Sequence, residues 1–393
     1  MHLARLRLEN VRCFAQLDLA LPAGTTILYG ANAQGKSNLL EAMHVFAIGR
    51  STRAGHDREL IRWETLGDDI PYARIEGDFF RRGASLSLSV ALQHHPGPEA
   101  ATSASTEVPI LKRIQVNGIP RRAGDLVSHA LVVLFEPQDI ELVYGSPSGR
   151  RRHLDIVLSQ TDRSLFGELQ RYHRVIAQRN PLLKSIRDGR ASPDELAYWN
   201  RELVQAGSAI TVARRSSLLA LEQLCQSIHR DLTAEAENLS LDYKPSVSAP
   251  DHGDLPATIA AFETDLESLR ERELMQGVTL VGPHRDDFSF RVNGADLSAY
   301  GSRGQQRLAT LSLKLAEAKF IRERTEEEPI LLLDDVLSEL DAPRRRYLLQ
   351  HAAGYHQAIL TTADLETVGR AFVEASNVLR VVAGAVEPHR LDG

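Results

Sequence analysis

The chain has 393 residues, of which 43% are hydrophobic and 25% are charged, and its formal net charge is −6. That length and composition fit a globular protein with one large and one smaller domain. Because the net charge is negative, the protein has no overall positive field that would attract a polyanion to every face. No run approaches the roughly 18 apolar residues of a membrane span, so we expect a cytoplasmic protein without a membrane partner. Its only cysteines, Cys13 and Cys225, lie in apolar patterns and are expected to be unpaired core thiols.

The first part of the chain is predicted to be rich in strands. Residues 3–30 have the alternation of a β-meander, with LARLRLENV and FAQLDLAL followed by TTILYG. A helical pattern, NLLEAMHVFAIG, follows and ends at Gly49. Residues 72–119 predict an antiparallel sheet, interrupted by a loop at 94–109, and ALVVLFEP at 130–137 predicts a buried strand.

The remainder of the chain divides into a helical part and a second β/α part. Residues 150–275 carry long helical patterns, with no heptad repeat long enough for an extended coiled coil. After Gly277, strands and helices alternate again, with a helix from near Ser302, the strand PILLLDDV, a helix from about Pro343 and the strand QAILTTA. Two β-rich halves around a helical insertion predict one sheet built from both ends of the chain.

The strongest local motif lies between a predicted strand and a predicted helix. GANAQGKS fits the phosphate-binding pattern G-x-x-x-x-G-K-[ST] at every fixed position. Its residues are Gly30, Ala31, Asn32, Ala33, Gln34, Gly35, Lys36 and Ser37. The glycines let backbone N–H groups point inward, toward a phosphate. Lys36 would reach the β- and γ-phosphates, and Ser37 would ligate Mg²⁺, so we predict a site for ATP and Mg²⁺.

The second motif is acidic, and it is the expected partner of the phosphate-binding loop. ILLLDD at 330–335 predicts a buried parallel strand with two carboxylates at its C-terminal edge. Asp334 would hold Mg²⁺, directly or through water, and Asp335 would orient or deprotonate the attacking water. The alternative for Asp335 is a cap on the following turn.

A third motif begins the helix near residue 302. Ser302, Arg303, Gly304 and Gln305 form a Ser-x-Gly-Gln element at a helix start, where free N–H groups bind anions. It could close over a nucleotide held by another copy of the chain. Simple capping by Ser302 is the alternative.

Basic clusters are the candidates for nucleic-acid contacts. They are Arg121 with Arg122, Arg150 with Arg151 and Arg152, and Arg344 with Arg345 and Arg346. Each could instead be a solvated face or an ion-pair donor. Without an aromatic-interleaved basic strip, recognition of a duplex backbone is favoured over base readout. Trp63 and Trp199 are expected to be packing residues, and His284 with Arg285 could be a structural latch or a sensor.

Several motifs together resemble the RecF family of recombination-mediator ATPases. They are, in chain order, NVRCF at 10–14, GANAQGKSNLLEA at 30–42, SPSGRRRHLD at 146–155, VGPHRDDF at 281–288, SRGQQR at 302–307 and LLLDDVLSELD at 331–341. The resemblance implies an α/β ABC-type ATPase head, with a mixed P-loop sheet and an antiparallel β subdomain. The head would comprise residues 1–150 and 275–393, and residues 151–274 would form a short helical arm.

The resemblance also implies a function. It implies an ATP-dependent homodimer on duplex, gapped or junction DNA, and a weak, DNA-stimulated ATPase. The implied partners are RecR and RecO, and indirectly RecA, which is loaded at single-strand gaps. Ser302 to Gln305 would then be the signature that acts in trans, with Ser338 and Asp341 in the D-loop. Gln138 would be the Q-loop glutamine, and Arg12 would touch the nucleotide.

Departures from the general ABC pattern separate this chain from the alternatives. Arg303 replaces the first signature glycine, Asp335 replaces the usual Glu, and Thr361 and Thr362 stand where transporters have a switch histidine. A transporter ATPase subunit would require that histidine. An SMC or Rad50-like head would require a far longer helical insertion.

Overall fold

The computed structural model of the protein describes residues 1–68, 70–94, 110–250 and 254–389. It divides into two compact units. The first comprises Met1–Gln138 with Ile321–Gly393, and the second comprises Asp139–Phe320. The second unit includes the predicted helical arm and extends beyond it on both sides, while the functional limits of head and arm stay a prediction. Of the predicted loop at 94–109, residues 95–109 lie outside the described residues.

The strands and helices are numbered in chain order. The strands are β1 (His2–Val11), β2 (Phe14–Ala20), β3 (Gly24–Tyr29), β4 (Tyr72–Arg81), β5 (Ala84–His94), β6 (Ile110–Val116), β7 (Ile119–Arg121), β8 (Val132–Phe135), β9 (Leu239–Lys244), β10 (Asp287–Val292), β11 (Ala295–Asp296), β12 (Ile330–Leu333), β13 (Gln357–Thr362), β14 (Asn377–Val382) and β15 (Ala385–Pro388). The helices are α1 (Lys36–Ile48), α2 (Ala123–Leu126), α3 (Glu141–Tyr144), α4 (Pro147–Thr161), α5 (Arg163–Arg187), α6 (Leu196–Thr233), α7 (Leu255–Ser268), α8 (Arg270–Gln276), α9 (Leu297–Tyr300), α10 (Arg303–Thr325), α11 (Ala342–Ala353) and α12 (Arg370–Glu374).

An antiparallel sheet in the first unit confirms the predicted strands at 72–119. Its order is β2-β1-β4-β5-β6-β7. Leu6 and Leu8 of β1 are buried, while Arg7 between them reaches Glu76 and Asp78 on β4. The alternation arises because successive side chains of a strand point to opposite faces of the sheet.

The P-loop sheet of the first unit has the order β15-β14-β3-β13-β12-β8. Strands from both ends of the chain contribute, as predicted. The predicted β-meander over residues 3–30 is confirmed for β1 and β2, which pair antiparallel, and is wrong for β3, which pairs in parallel with β13 and β14. Ile27 and Leu28 of β3 are fully buried, and a strand covered on both faces belongs in the interior of a parallel sheet.

Helix α1 and a buried glutamine connect the two sheets of the first unit. Phe46 of α1 packs edge to face on Phe79 of β4, with ring centroids 5.3 Å apart. Gln357 of β13 is fully buried, and its amide accepts from the Leu3 N–H at 2.8 Å and donates to the Leu3 carbonyl at 2.9 Å. These bonds place the P-loop sheet against the start of β1.

The second unit contains the predicted helices and a strand that was not predicted. Strand β9 pairs with β10 in a three-stranded sheet of order β11-β10-β9. Its residues LSLDYK alternate and lie within a sequence otherwise rich in helical patterns. Arg179 of α5 is buried and bonds Glu273 at 2.5 Å and Thr279 at 2.8 Å. Buried charges are tolerated when they are paired in this way.

Two predictions about single residues are wrong. Trp63 is 81% exposed, so it is not a packing residue, whereas Trp199 is half-buried against Tyr198. Cys13 is exposed and only Cys225 is a core thiol. Among the helices of the described residues, none combines the length and apolar character that a membrane crossing requires.

Candidate nucleotide-binding site

The predicted P-loop connects the end of β3 to the start of α1. Gly30, Ala33 and Gly35 have positive φ angles of 155°, 63° and 109°. This conformation curls the backbone as a phosphate cradle requires. The Lys36 ammonium group donates to the carbonyls of Gly30 at 2.6 Å and Ala31 at 2.8 Å, across the mouth of the loop.

The two predicted metal ligands lie in contact. The Ser37 hydroxyl donates to Asp334 Oδ1 at 2.9 Å, although the residues are 297 positions apart in sequence. Asp334 follows β12, is 3% exposed, and also accepts from the Thr361 hydroxyl at 2.7 Å. Parallel strands β12 and β13 end at the same edge of the sheet, which brings Asp334 and Thr361 together.

Asp335 lies beside this pair in a left-handed conformation, with φ of 50°. Its backbone N–H donates to the Thr361 hydroxyl at 2.9 Å. Its side chain accepts no bond from a backbone N–H of the turn that follows. The carboxylate does interact with the side chain of Ser338 on that turn, so the alternative interpretation as a cap stays open. Burial, followed by the nearby charge of Asp334, raises the pKa of Asp335. Burial lowers the pKa of Lys36, while Asp335 and Asp334 oppose that change.

These residues line an open cavity of about 430 Å³. Its lining is Asn32, Ala33, Gly35, Lys36, Ser37, Asn38, Asp334, Asp335 and Thr361. The hydroxyl and carboxylate oxygens of Ser37 and Asp334 are the hard ligands that Mg²⁺ prefers, so the residues present fit the predicted metal. The cavity therefore combines a cation, a backbone cradle and oxygen ligands at one edge of the sheet.

Arg53 is a site residue that the sequence analysis missed. Its guanidinium group contacts both Asp334 and Glu136, and Thr52 also donates to Glu136 at 3.3 Å. Gln138, the predicted Q-loop glutamine, is exposed and donates to Glu136 at 3.1 Å. Arg53 therefore connects Glu136, and through it Gln138, to Asp334 at the end of β12. The signal in the sequence was the position of Glu136 near the end of the predicted buried strand at 130–137.

Arg12 lies at the turn between β1 and β2. Its guanidinium group donates to both carboxylate oxygens of Glu41 at 2.7 and 2.9 Å. Glu41 on α1 is buried and also accepts from the Ser51 hydroxyl. Arg12 is therefore fixed against α1 by a bidentate ion pair, and the predicted nucleotide contact stays a prediction.

The Ser302 element begins α10 in the second unit. The Ser302 hydroxyl accepts from the Gln305 N–H at 3.2 Å, and the Gln305 side chain accepts from the Ser302 N–H at 3.0 Å. This reciprocal pair is a capping box, so the capping alternative describes the geometry of this chain. The Gln305 amide also donates to Glu237 at 2.9 Å, and Glu237 lies 3.1 Å from the ring of buried His229. Contact with a second copy stays a prediction, as do the roles of Arg303 and Gly304.

The predicted D-loop residues lie next to Asp335 along the chain. The Ser338 hydroxyl donates to the Asp335 carbonyl at 2.8 Å. Asp341 caps α11, accepting from the Arg344 N–H at 3.1 Å. Both residues therefore have hydrogen-bond partners nearby in the chain. Their predicted role as a D-loop that contacts a second copy stays a prediction.

The family follows from comparison with known proteins. The family model described as "RecF/RecN/SMC N terminal domain" matches residues 2–385 of the chain. The DNA replication and repair protein RecF of Roseiflexus castenholzii is 42% identical over 99% of this chain and 100% of its own length. The chain belongs to the RecF family. The RecF of Herpetosiphon aurantiacus is 40% identical, also over 99% of this chain and 100% of its own length.

Solved structures agree with this assignment to the RecF family. The recombination mediator protein RecF with ATPrS, in the RecFOR pathway, has a TM-score of 0.85 and 30% identity, over 99% of this chain and 98% of that one. A structure of the same mediator protein with ATP gives the same values. An Smc head bound to the C-winged helix domain of ScpA has a TM-score of 0.52 at 13% identity, over 100% and 98% of the chains, which supports the fold. The predicted ABC-type ATPase fold is confirmed.

The arginine clusters of this RecF-family chain have different environments. Arg121 and Arg122 are exposed. Arg150 is 8% exposed and donates to both carboxylate oxygens of Asp287 at 2.7 and 2.8 Å, which is the ion-pair alternative, while its DNA contact stays a prediction. Arg151 is half-buried and donates to the Asp286 carbonyl at 2.7 Å, and Arg152 is exposed.

His284 has the contacts of a structural latch. Its Nδ1 lies 2.7 Å from the Tyr172 hydroxyl, and its Nε2 lies 3.1 Å from the Thr279 carbonyl. Burial lowers the pKa of His284 to about 4, so the ring is neutral at neutral pH. Asp286, nearby in the same motif, is buried and accepts from Arg214 and Tyr243. The VGPHRDDF segment therefore serves the core of the second unit.

Proposed function

We propose that this chain is an ATP-dependent DNA-binding clamp for DNA repair and replication, with weak, DNA-stimulated ATPase activity. The observation that carries the proposal is the contact between Ser37 and Asp334 at a cavity that also holds the Lys36 ammonium group. A loop with the phosphate-binding pattern and an acidic strand end, far apart in sequence, meet in one place. Membership of the RecF family supplies the biological context.

The P-loop residues bind the triphosphate in this proposal. Lys36 leaves the carbonyls of Gly30 and Ala31 and pairs with the β- and γ-phosphates, since charged phosphate oxygens are stronger acceptors than carbonyls. Ser37 and Asp334 would hold Mg²⁺, which neutralises phosphate charge when it is bound. Arg53 supplies a further cation beside Asp334.

Hydrolysis in this proposal depends on Asp335. The carboxylate orients a water and accepts its proton as the water oxygen bonds to the γ-phosphorus. The bond from the γ-phosphorus to the bridging oxygen breaks, and ADP and phosphate leave. Thr361 fixes the base through the Asp335 N–H. Asp is one methylene shorter than Glu, which fits slow turnover.

ATP joins two copies of the chain in this proposal. The start of α10, with Ser302 to Gln305, contacts the γ-phosphate held by the partner copy. In the single chain these side chains form a capping box, so the contact with the partner copy rests on the resemblance of the Ser302 motif to the RecF family. Ser338 and Asp341 would line the same contact between copies.

DNA and protein partners complete the proposal. The exposed arginines Arg121, Arg122 and Arg152 are the most accessible candidates for contacts with the duplex backbone. RecR and RecO would act with the clamp at gapped or junction DNA, and RecA would be loaded there on single strands. One solved relative is itself described as part of the RecFOR pathway.

Sedimentation with a non-hydrolysable ATP mimic and Mg²⁺ tests the proposal. We expect the parent chain to dimerise on DNA. Ser302→Arg should bind nucleotide as a monomer and fail to dimerise. In a separate assay with ATP, Lys36→Arg should show weakened hydrolysis and keep much of its nucleotide binding. A parent chain that stays monomeric, or a Ser302→Arg variant that dimerises like the parent, would contradict the trans site.

A salt titration of DNA binding tests the clamp itself. Duplex, single-stranded and gapped DNA are compared with and without ATP. We expect ATP to raise the affinity for duplex and gapped DNA, with a steep salt dependence from phosphate contacts. Equal affinities in every nucleotide state and for every DNA would remove the clamp.

A further inference from the structure

We infer that the turn between β14 and β15 positions the P-loop and is therefore part of the nucleotide-binding site. This turn consists of Ala383 and Gly384, near the end of the chain and about 350 residues from the P-loop. The inference rests on the proposed nucleotide site, and it adds a positioning element that the motifs do not indicate.

Gln34 is the P-loop residue that the turn holds. Its side-chain oxygen accepts from the Ala383 N–H at 2.7 Å, and its carbonyl accepts from the Gly384 N–H at 3.3 Å. The other end of the side chain donates to the Asn32 carbonyl at 3.4 Å. The Gln34 side chain is therefore committed to the turn, and we assign it a positioning role in place of direct nucleotide contact.

The same turn packs closely on the loop between β1 and β2. A Cβ atom placed on Gly384 would lie 2.5 Å from the Cys13 carbonyl oxygen. Cys13 in turn touches the P-loop, because a Cβ on Gly35 would lie 2.6 Å from its Sγ. Asn38 also donates to that Sγ at 3.4 Å. Three turns thus pack together with no room for an added methyl group.

Strand β14 brings the turn to this position. It pairs in parallel with β3, with Arg380 opposite Tyr29, immediately before the P-loop begins. The Val381 carbonyl lies against Gly30, where a Cβ would collide with it. The P-loop has no ladder of its own, so the direction of its N–H groups depends on neighbours such as these. The turn can therefore set the shape of the cradle before ATP arrives.

The chain offers a matched control for a glycine substitution. Among the described residues, four turns pair a residue of positive φ with a following glycine of positive φ, and they are Arg82–Gly83, Asn117–Gly118, Asn293–Gly294 and Ala383–Gly384. A Cβ at Gly83, Gly118 or Gly294 would meet nothing within 4 Å, while one at Gly384 would meet Cys13. Gly83→Ala thus reproduces the backbone strain of Gly384→Ala without the collision.

The experiment compares ATP affinity and stability in the full chain. Binding of a fluorescent ATP analogue with Mg²⁺ is titrated for the parent, Gly384→Ala, Gly83→Ala and Gln34→Ala. We expect Gly384→Ala to weaken binding by about tenfold or more, and Gln34→Ala by about two- to tenfold, the usual range for one lost hydrogen bond. Gly83→Ala should stay within about twofold of the parent in affinity and should lose less thermal stability than Gly384→Ala, because it carries the backbone strain alone.

Amide hydrogen exchange over residues 30–37 gives a readout that general destabilisation would not produce. In the nucleotide-free chain, the amides of this segment should exchange faster than in the parent in Gly384→Ala and Gln34→Ala. In Gly83→Ala they should exchange at the rate of the parent. Equal ATP affinity and exchange in Gly384→Ala and Gly83→Ala would overturn the inference. If Gly384→Ala fails to fold, parental affinity in Gln34→Ala would overturn it.

One further variant separates failure of the inference from failure of the proposed function. Lys36→Ala should lose ATP binding whether or not the turn positions the loop. Parental binding by Lys36→Ala would remove the nucleotide site itself. Loss of binding in Lys36→Ala, with no effect of Gly384→Ala or Gln34→Ala, would remove only the role of the turn.

Discussion

Replacement of Arg150 by Ala tests whether this residue stabilises the second unit or binds DNA. The Arg150 guanidinium group donates to Asp287 through two nitrogens, and the third donates to the Gly145 carbonyl at 2.8 Å. Alanine removes all of these donors and leaves the Asp287 carboxylate without this partner. We therefore expect a loss of stability and no direct loss of DNA contact.

The size of the effect follows from burial. Removing one partner of a buried ion pair costs about 3–5 kcal/mol. The Asp287 side chain is 24% exposed, so water compensates part of the loss and we expect about 2–3 kcal/mol. The second unit has about 180 residues, and each kcal/mol shifts the melting temperature of such a unit by about 2–4 °C. The expected fall is about 4–12 °C.

The assay uses Trp199 as a reporter of the second unit. Trp63 is exposed and lies in the first unit, so Trp63→Phe leaves Trp199 as the only tryptophan at little cost in stability. Thermal and urea unfolding are followed by its fluorescence in the Arg150→Ala variant. Arg122→Ala is the control, because Arg122 is exposed and should change stability by less than about 0.5 kcal/mol. Parental stability with weaker DNA binding in Arg150→Ala would refute the reasoning.

Three further outcomes are expected. Asp335→Asn should lower the ATP hydrolysis rate by about 100-fold or more while nucleotide binding persists, and rapid hydrolysis by this variant would exclude Asp335 as the base. The low pKa of His284, about 4, means that the unfolded chain takes up a proton as pH falls through 6.5 while the native ring does not. The contribution of the neutral ring to the free energy of unfolding is therefore complete above pH 6.5 and declines by about 3 kcal/mol as the pH falls to 4. In urea titrations, the difference in stability between the parent and His284→Gln should shrink between pH 6.5 and pH 4. A thiol reagent should label the native chain once, at Cys13, and the denatured chain twice, whereas rapid labelling of Cys13→Ser would show that Cys225 is accessible.

The local motifs were predictable from the sequence because their residues are contiguous. The P-loop, the acidic strand end and the capped start of α10 each combine a short pattern with a flanking strand or helix, and all three were found where predicted. Apolar runs such as ILLL also predicted strands buried on both faces. The sequence alone therefore indicated the fold class and the residues that form the cavity.

Pairing between distant residues was decided by the tertiary structure. The partners of β3 depend on hydrogen bonds to strands more than 300 residues away, and no pattern within β3 distinguishes them from β2. Arg150 and Arg121 are both members of short basic runs, and only burial against Asp287 separates the structural arginine from the exposed one.

What the sequence determined is the chemistry available at the candidate site, because backbone cradle, cation and carboxylates come from short motifs. What only the tertiary structure decided is which remote groups surround that chemistry, such as Arg53 beside Asp334 and Ala383 beside Gln34. The physical reason is that burial and hydrogen-bond geometry depend on every element packed around a residue, while a local pattern reports only the element that contains it.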